Sequence, residues 1–475
     1  MHVGRVMVIL WTVGILLLLV GTIFVIVTEN RNPVKTLAWI LVLTFVPFFG
    51  FLAYFLFGMS NRSRRLITTG KFAELKSHVP ENYSKDYLID KPEHNEKLAT
   101  TLRNINYSYL LGGNSIQPYT VFDDFFQSML EDIRKAKHHI HILFFKIEED
   151  PIGDELADLL IQKVKEGVEV RLCYDDIANF MVRRRYYKKM ARAGVEVTPF
   201  ARCYIPFLSR NANYRNHRKI AVVDGKVGYL GGMNIADRYS KGIRGGFWRD
   251  TMVRIAGPSV TEIQTAFLID WQFASGKYVN GPEYYPKNES QGNVQIQVAT
   301  AGPMDRWDVM KHAFVSIITH ARKYVYIQSP YFIPTDSILM AMQTAAMSGV
   351  DVRLMIPRRG DKGILPPLAS KSYLKEILKA GVKVYFYQDG YLHSKTMVSD
   401  DRFATVGSTN IDVRSLEQNY EVNAFIYDND FAVKMRDIFY EDIKNTKEIT
   451  WRKWKKRPAI EKIKESFARL FAPLL

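Results

Sequence analysis

Two long apolar runs open the chain: Val6 to Val27, 22 residues without a charge, and Thr36 to Gly58, 23 more. As a helix, each is long enough to cross about 30 Å of hydrocarbon at about 1.5 Å per residue. The stretch between them, Thr28 to Lys35, contains Asn32-Pro33 and suits a tight turn. The pattern therefore predicts a two-helix transmembrane hairpin over residues 1–58. The first run is too long for the core of a cleaved leader, and no small-residue cleavage site follows it. Pro47 falls inside the second run, where a kink is expected. Cations at the two ends of the hairpin (Arg5, Arg62, Arg64, Arg65, Lys71) outnumber those in its loop (Arg31, Lys35). That bias predicts a two-helix, multi-pass protein of the cell membrane with its catalytic body on the cytoplasmic side.

Beyond the hairpin the period changes. Phe125, Phe126, Met129, Leu130 and Ile133 recur at helical spacing, and Ile140 to Phe145 reads as a buried strand. Helical patterns alternating with short apolar strands predict an α/β fold with a largely parallel or mixed sheet covered by helices. The pattern also repeats. Ala-Lys-His-His-Ile-His-Ile at Ala136 returns as Ala-Arg-Lys-Tyr-Val-Tyr-Ile at Ala321, an offset of 185 residues. Gly-Val-Glu-Val-Arg-Leu at Gly167 returns at Gly349 as Gly-Val-Asp-Val-Arg-Leu, and Ala-Gly-Val-Glu-Val at Ala193 returns at Ala380 as Ala-Gly-Val-Lys-Val. Two similar α/β halves are expected to pack about a pseudo-twofold axis. The expected division is 1–58 hairpin, 59–115 linker, 116–290 first half, 291–445 second half, and 446–475 a basic tail with an amphipathic helix.

Composition adds a charge constraint. The formal net charge is +16, of which the first 58 residues hold +2, so the body carries +14 and favours an anionic partner, lipid or nucleic acid. Two cysteines, Cys173 and Cys203, are too few for a disulfide framework and point to a reducing compartment.

The chemistry lies in two motifs of identical spacing. His217-Arg218-Lys219, four apolar residues and Asp224 are followed after six residues by Gly231-Gly232-Met233-Asn234. His393-Ser394-Lys395 and Asp400 are followed after six residues by Gly407-Ser408-Thr409-Asn410. In a strand, residues i and i+2 share a face, so each His and Lys is expected to project together. Lys219 and Lys395 supply cations where other enzymes place metals, and Asn234 and Asn410 add neutral donors to the same phosphate oxygens. One imidazole must be neutral to attack phosphorus, and the other protonated to release the leaving alcohol. Asp224 and Asp400 belong to the catalytic motifs but lie across a buried strand from the histidines, where they are expected to brace the fold.

On these motifs the chain resembles the phospholipase D superfamily over roughly Phe122 to Asp430. Within it, the chain is similar to bacterial cardiolipin synthases through the Asn32-Pro33…Lys35-Thr36-Leu37-Ala38-Trp39 run, the Phe57-Gly58 exit and the terminal Ala472-Pro473-Leu474-Leu475. The resemblance implies two α/β sandwich halves sharing one active site, with His217 as nucleophile, His393 as acid/base and a phosphohistidine intermediate. It implies transfer of a phosphatidyl group between two phosphatidylglycerol molecules on an anionic bilayer, without cofactor or metal and without nucleic acid. It also implies that Glu421, and by analogy Asp250, orients a histidine. A hydrolytic phospholipase D and, less favoured, a membrane-anchored nuclease use the same motifs. A non-catalytic scaffold would need a damaged motif, and both are intact.

Other features weigh less. His138, His139 and His141 lack the partners of a metal site and read as strand-edge histidines. Tyr174-Asp175-Asp176 follows a strand and is a candidate rim of the site. Trp451 to Arg457 holds five cations and two tryptophans, a composition suited to anionic headgroups. Ile460, Ile463, Phe467, Leu470 and Phe471 then form an apolar helical stripe, suited either to a lipid surface or to packing on the body.

Overall fold

The computed structural model describes residues 2–28, 33–54, 85–203, 214–243, 246–361 and 363–472. Asn32, Arg31, Arg62, Arg64, Arg65, Lys71, the Phe57-Gly58 exit and residues 473–475 lie outside them. In the N-terminal unit, α1 spans His2–Thr28, and the second apolar run divides into α2 (Pro33–Phe45) and α3 (Pro47–Ala53). Proline is the cause of the break: Pro47 has no N–H for the ladder, and Val46 leaves the helical region at φ −136°, ψ 63°. Ile26, Leu43 and Tyr54 form the buried centre of this unit. Only part of the α1 side chains is described, and among the described residues no helix is long and apolar enough to cross a membrane.

The body is a duplicated α/β structure. Helix α4 (Glu96–Asn106) precedes β1 (Leu110–Tyr119), so regular structure begins inside the stretch expected to be linker. The first half continues through α5 (Phe122–Lys135), β2 (His139–Phe144), α6 (Pro151–Lys165), β3 (Glu169–Asp175), α7 (Arg184–Arg192) and β4 (Glu196–Phe200). It closes with β5 (Lys219–Val223), β6 (Val227–Gly231), the short α8 (Asp237–Lys241), β7 (Trp248–Arg249), β8 (Met252–Ala256) and α9 (Val260–Ser275).

The second half repeats the course with β9 (Val294–Ala301), α10 (Val309–His320), β10 (Tyr324–Gln328), β11 (Phe332–Ile333), α11 (Asp336–Met347), β12 (Asp351–Pro357), α12 (Leu365–Lys379) and β13 (Lys383–Tyr387). Then come β14 (Tyr391–Leu392), β15 (Thr396–Ser399), β16 (Phe403–Gly407), β17 (Ile411–Asp412), α13 (Val413–Glu417), β18 (Glu421–Tyr427) and α14 (Asn429–Ile443).

Among the described residues fifteen strands join in one sheet, ordered β19-β13-β12-β10-β15-β16-β18-β9-β1-β8-β6-β5-β2-β3-β4. The order is mirrored about the antiparallel contact of β1 with β9, which makes the pseudo-twofold visible in the topology. The outer face of the first half is packed by α5, α6 and α7, and that of the second by α10, α11 and α12. Between the halves, Ile220, Val222 and Phe267 share one core with Val398, Val422 and Phe439.

Each motif aspartate makes a hairpin turn. Asp224 and Asp400 adopt φ of 51° and 57°, a left-handed conformation that aspartate tolerates better than most side chains. Asp224 accepts the backbone N–H groups of Lys137, His138 and His139 at 2.8–2.9 Å, and Asp400 those of Arg322, Lys323 and Tyr324 at 2.7–3.0 Å. Seven extended residues, about 23 Å, separate each from its motif histidine, so both brace the start of a strand and stand apart from the reacting groups.

Two expectations need correction. His139 and His141 are not at a strand edge: β2 lies between β5 and β3, and both rings are buried. His141 stacks on Phe267 at 4.4 Å and pairs with Gln264 and Arg171, so the polar positions of this strand are satisfied inside the sheet. The tail is also less free than its composition suggests. β19 (Thr446–Ile449) extends the sheet beside β13, and in the following α15 (Trp451–Lys455) Trp454 is buried under Arg457 rather than offered to lipid. Helix α16 (Ala459–Arg469) packs on α12 through Ala468 and an Arg469–Glu376 ion pair, leaving Ile460, Ile463, Phe467 and Leu470 exposed.

Candidate active site

Of the four motif histidine and lysine side chains, Lys219 alone belongs to a regular strand. β5 begins at Lys219 and β15 at Thr396, so His217, His393 and Lys395 sit in the extended segments leading into them. Each lead-in segment pairs with the opposite half instead of its own sheet. His217 N donates to Tyr420 O and Tyr420 N to Arg215 O, both at 2.9 Å. Likewise His393 N donates to Arg249 O at 2.7 Å, continuing the parallel pair of β14 with β7.

The next residues along those partner segments are Glu421 and Asp250, so each carboxylate arrives behind an imidazole of the other half. His217 Nδ1 lies 3.0 and 3.1 Å from the two Glu421 oxygens, and His393 Nδ1 lies 2.6 Å from Asp250 Oδ2. A carboxylate that accepts Nδ1–H leaves the imidazole lone pair on Nε2. Glu421 is itself held by Ser408 Oγ and by Asn419 Nδ2 at 3.3 Å, and Asp250 by the Thr251 N–H at 2.7 Å.

Two arginines fasten these bridges from the other face of the chain. Arg218 donates to Glu421 O at 3.0 Å, to Ala301 O at 3.0 Å and to Asp270 Oδ1 at 2.6 Å. Arg249 forks onto Asp442 with two contacts of 2.8 Å and donates to Ser394 Oγ at 3.0 Å. Both guanidiniums are buried and both cross from one half to the other. Motif spacing did not single them out, although their places beside His217 and Asp250 were a signal.

Lys219 and Lys395 are buried beside the imidazoles. Lys219 Nζ donates to His217 O at 2.5 Å and lies 5.3 Å from the Phe145 ring centre. Lys395 Nζ donates to His393 O and lies 2.8 Å from His393 Nδ1. Both imidazoles, Asn234 and Asn410 line a single cavity of about 380 Å³. Asn234 Nδ2 donates to Tyr239 OH at 2.5 Å and Asn410 Nδ2 to Asp412 Oδ2 at 3.1 Å, which leaves each amide one further N–H for a ligand oxygen.

Arg215, Arg238 and Arg414 line the same cavity and were not anticipated. The last two stand four residues after each motif asparagine, a second shared spacing. Of the Tyr174-Asp175-Asp176 run, Asp175 acts on the site indirectly: it pairs with Arg215 at 2.9 Å and accepts Asn216 N at 3.0 Å. Tyr174 stacks on Tyr187 instead. Among the described residues no group of three or more His, Cys, Asp or Glu is arranged to hold a metal ion.

Burial dominates the electrostatics. It pulls both His217 and His393 down to about 4, with Glu421 and Asp250 only partly offsetting it. It also lowers Lys219 to about 7 and Lys395 to about 8, again against the pull of the two carboxylates. Burial alone would raise Glu421 and Asp250, but the histidine and lysine beside each bring both below their ordinary values. Near neutral pH both imidazoles are thus neutral, where the motif chemistry anticipated one neutral and one protonated. An anion in the cavity favours the charged form of every cation around it.

That argument has a measurable consequence. Burial lowers Lys219 to about 7 and Lys395 to about 8, so at pH 8 binding of sulfate, which carries no exchangeable proton there, is expected to draw protons onto the protein. Calorimetric titration in two buffers of different ionisation enthalpy measures the uptake; binding without proton uptake would contradict the depressed lysines.

Comparison with known proteins bears on the whole chain. The family described as "Cardiolipin synthase, PLD-like domain" matches residues 129–271 and 314–443, and "Phospholipase_D-nuclease N-terminal" matches residues 16–58. "Cardiolipin synthase 2" of Bacillus anthracis is 41% identical over 95% of this chain and 89% of its own length. "Major cardiolipin synthase ClsA" of Bacillus subtilis (strain 168) is 39% identical over 95% of this chain and 96% of its own. Among solved structures, phosphatidylserine synthase from Haemophilus influenzae Rd KW20 superposes with a TM-score of 0.62 at 16% identity, covering 80% of this chain and all of that one, a likeness of fold. With both motif halves matched in order and relatives aligned almost end to end, the chain belongs to the cardiolipin synthase, PLD-like domain family.

Proposed function

We propose that this chain is a phosphatidyltransferase that moves a phosphatidyl group from one phosphatidylglycerol to a second, releasing glycerol and forming cardiolipin. The observation that carries the reading is the crossed pair of His–carboxylate dyads facing one cavity with two buried lysines beside them. The names of the relatives support it. In the first step His217 Nε2 attacks the donor phosphorus, the phosphorus–glycerol oxygen bond breaks, and His393 gives the leaving oxygen its proton. In the second, the hydroxyl of the acceptor gives its proton back to His393, its oxygen attacks phosphorus, and the phosphorus–nitrogen bond breaks. Protonated Lys219 and Lys395 and the free amide N–H groups of Asn234 and Asn410 stabilise the charge on the phosphoryl oxygens. The phosphodiester itself raises the His393 pKa in the complex, which turns two alike imidazoles into a nucleophile and an acid.

We also propose that residues 1–58 hold the chain in the cell membrane as a two-helix hairpin with the body on the cytoplasmic side. The apolar runs, their cation bias and the family match over 16–58 support this. Accessibility labelling of single cysteines at positions 2 and 475 is expected to find both on the cytoplasmic side. Labelling of either from outside would refute the topology.

Phosphatidylglycerol incubated with purified protein in EDTA is expected to yield cardiolipin and glycerol by mass spectrometry. Phosphatidic acid as the main product would make water the acceptor, and turnover restored only by a divalent ion would overturn the metal-free mechanism. Replacing either His217 or His393 by Ala is expected to lower turnover by at least about 1,000-fold. With a donor carrying a good leaving group, His393→Ala still accumulates an acid-labile adduct on His217, whereas His217→Ala does not. An adduct mapped to His393 would reverse the two roles, and transfer with inversion at a chiral phosphorus would exclude the double displacement.

A further inference from the structure

The pseudo-twofold makes the two walls of the cavity comparable residue by residue, and they differ. In the first wall the asparagine and the arginine are both partnered. Asn234 Oδ1 accepts Lys146 N at 3.1 Å, its amide N–H reaches Tyr239 OH, and Arg238 is paired with Glu148, which also takes Lys146 at 2.5 Å. In the second wall the equivalents are Asn410, Arg414 and Ser415, with Asn419 just beyond. Among the described residues Asn410 Oδ1 and Asn419 Oδ1 are buried without a hydrogen-bond partner. Arg414, half-buried on the same wall, has no hydrogen bond or ion pair for its guanidinium among the described residues.

The orientation of the two amides is not arbitrary. Asn410 Nδ2 is turned to the carboxylate of Asp412 at 3.1 Å and Asn419 Nδ2 to that of Glu421 at 3.3 Å. Flipping either would set a carbonyl oxygen against an anion, so both carbonyls are held facing away from the carboxylates as acceptors. Ser415 is already turned to Asp412: its N–H donates there at 2.6 Å and its hydroxyl bonds the same carboxylate. Buried polar groups are rarely left unpaired unless a ligand completes them.

The set asks for a specific chemistry: hydroxyl donors for the two carbonyls and an anion for Arg414. We propose that Asn410, Arg414 and Asn419 form a subsite for a glycerol unit carrying a phosphodiester, the headgroup of the acceptor lipid. This rests on the transfer reading and adds how the acceptor is chosen. The leaving glycerol and the incoming headgroup share the same hydroxyls, so the two amides serve both half-reactions. Only the incoming lipid brings a second phosphate, so Arg414 serves the acceptor alone and favours it over water or free glycerol.

The test separates acceptors. With phosphatidylglycerol as donor, full-length wild-type protein is assayed for exchange of labelled glycerol, for transfer to glycerol 1-phosphate, and for cardiolipin. In each transfer the phosphorus–nitrogen bond breaks as the acceptor oxygen binds phosphorus and its proton passes to His393. Wild type is expected to prefer glycerol 1-phosphate to glycerol. Arg414→Gln is expected to lose that preference and to lower cardiolipin formation by at least about 10-fold, while glycerol exchange, which also reports folding, stays within about 3-fold. Arg414→Lys restores part of the preference. A parallel fall in all three transfers would assign Arg414 to the donor phosphate, and an unchanged preference would show that it holds no acceptor; either overturns the subsite. A wild type that prefers glycerol 1-phosphate yet makes no cardiolipin would refute the proposed function and leave the subsite standing.

Discussion

Each imidazole is backed by a carboxylate that the other half of the chain supplies, and the rest of the body is arranged to make that exchange rigid. His217 and Glu421 are 204 residues apart, and Asp250 and His393 are 143 apart. Side-chain packing alone would not hold such pairs within hydrogen-bond distance. The backbone bridges at Tyr420 and Arg249 set the register, Arg218 and Arg249 fasten it, and the continuous sheet through β1 and β9 fixes the two halves that carry them. Taking two guanidiniums, two ammoniums and their carboxylates out of water is costly unless every group is paired. Here the pairings are the same contacts that align the reacting atoms.

The same burial sets the chemistry. Four cationic or basic groups crowd one cavity with two carboxylates, and burial lowers the pKa values of all four. A phosphodiester is the complement of such a site: it restores the charge balance and, through its position relative to the two Nε2 atoms, breaks a symmetry that the protein leaves nearly intact. The asymmetry the protein does provide is in the cavity walls, where Arg238 is ion-paired with Glu148 and Arg414 makes no ion pair among the described residues.

Much of this was legible in the linear chain, and the limits were physical. The duplicated spacing of His217-Lys219-Asn234 and His393-Lys395-Asn410 was enough to expect a shared site, because repeated units place equivalent residues equivalently. Which carboxylate meets which histidine was not legible, since equal spacings within the halves say nothing about exchange between them. Alternation misled at β2, where His139 and His141 mimic an exposed edge while stacking inside the sheet. Domain limits slipped at β1 and β19 because strands join a sheet by hydrogen bonding, which composition does not encode. Pro47, by contrast, announced its kink, because a missing N–H is a property of the residue alone.

The crossing of the dyads also bears on how such a chain can diverge. In a duplicated protein whose two sites were each built from one copy, one copy could drift or specialise while the other kept working. Here neither copy owns a complete dyad. A change that displaces Asp250 in the first half disables the histidine of the second, and a change at Glu421 does the reverse. Selection must act on the two copies as one unit, and after gene fusion neither half can be inherited, exchanged or lost alone without silencing its twin.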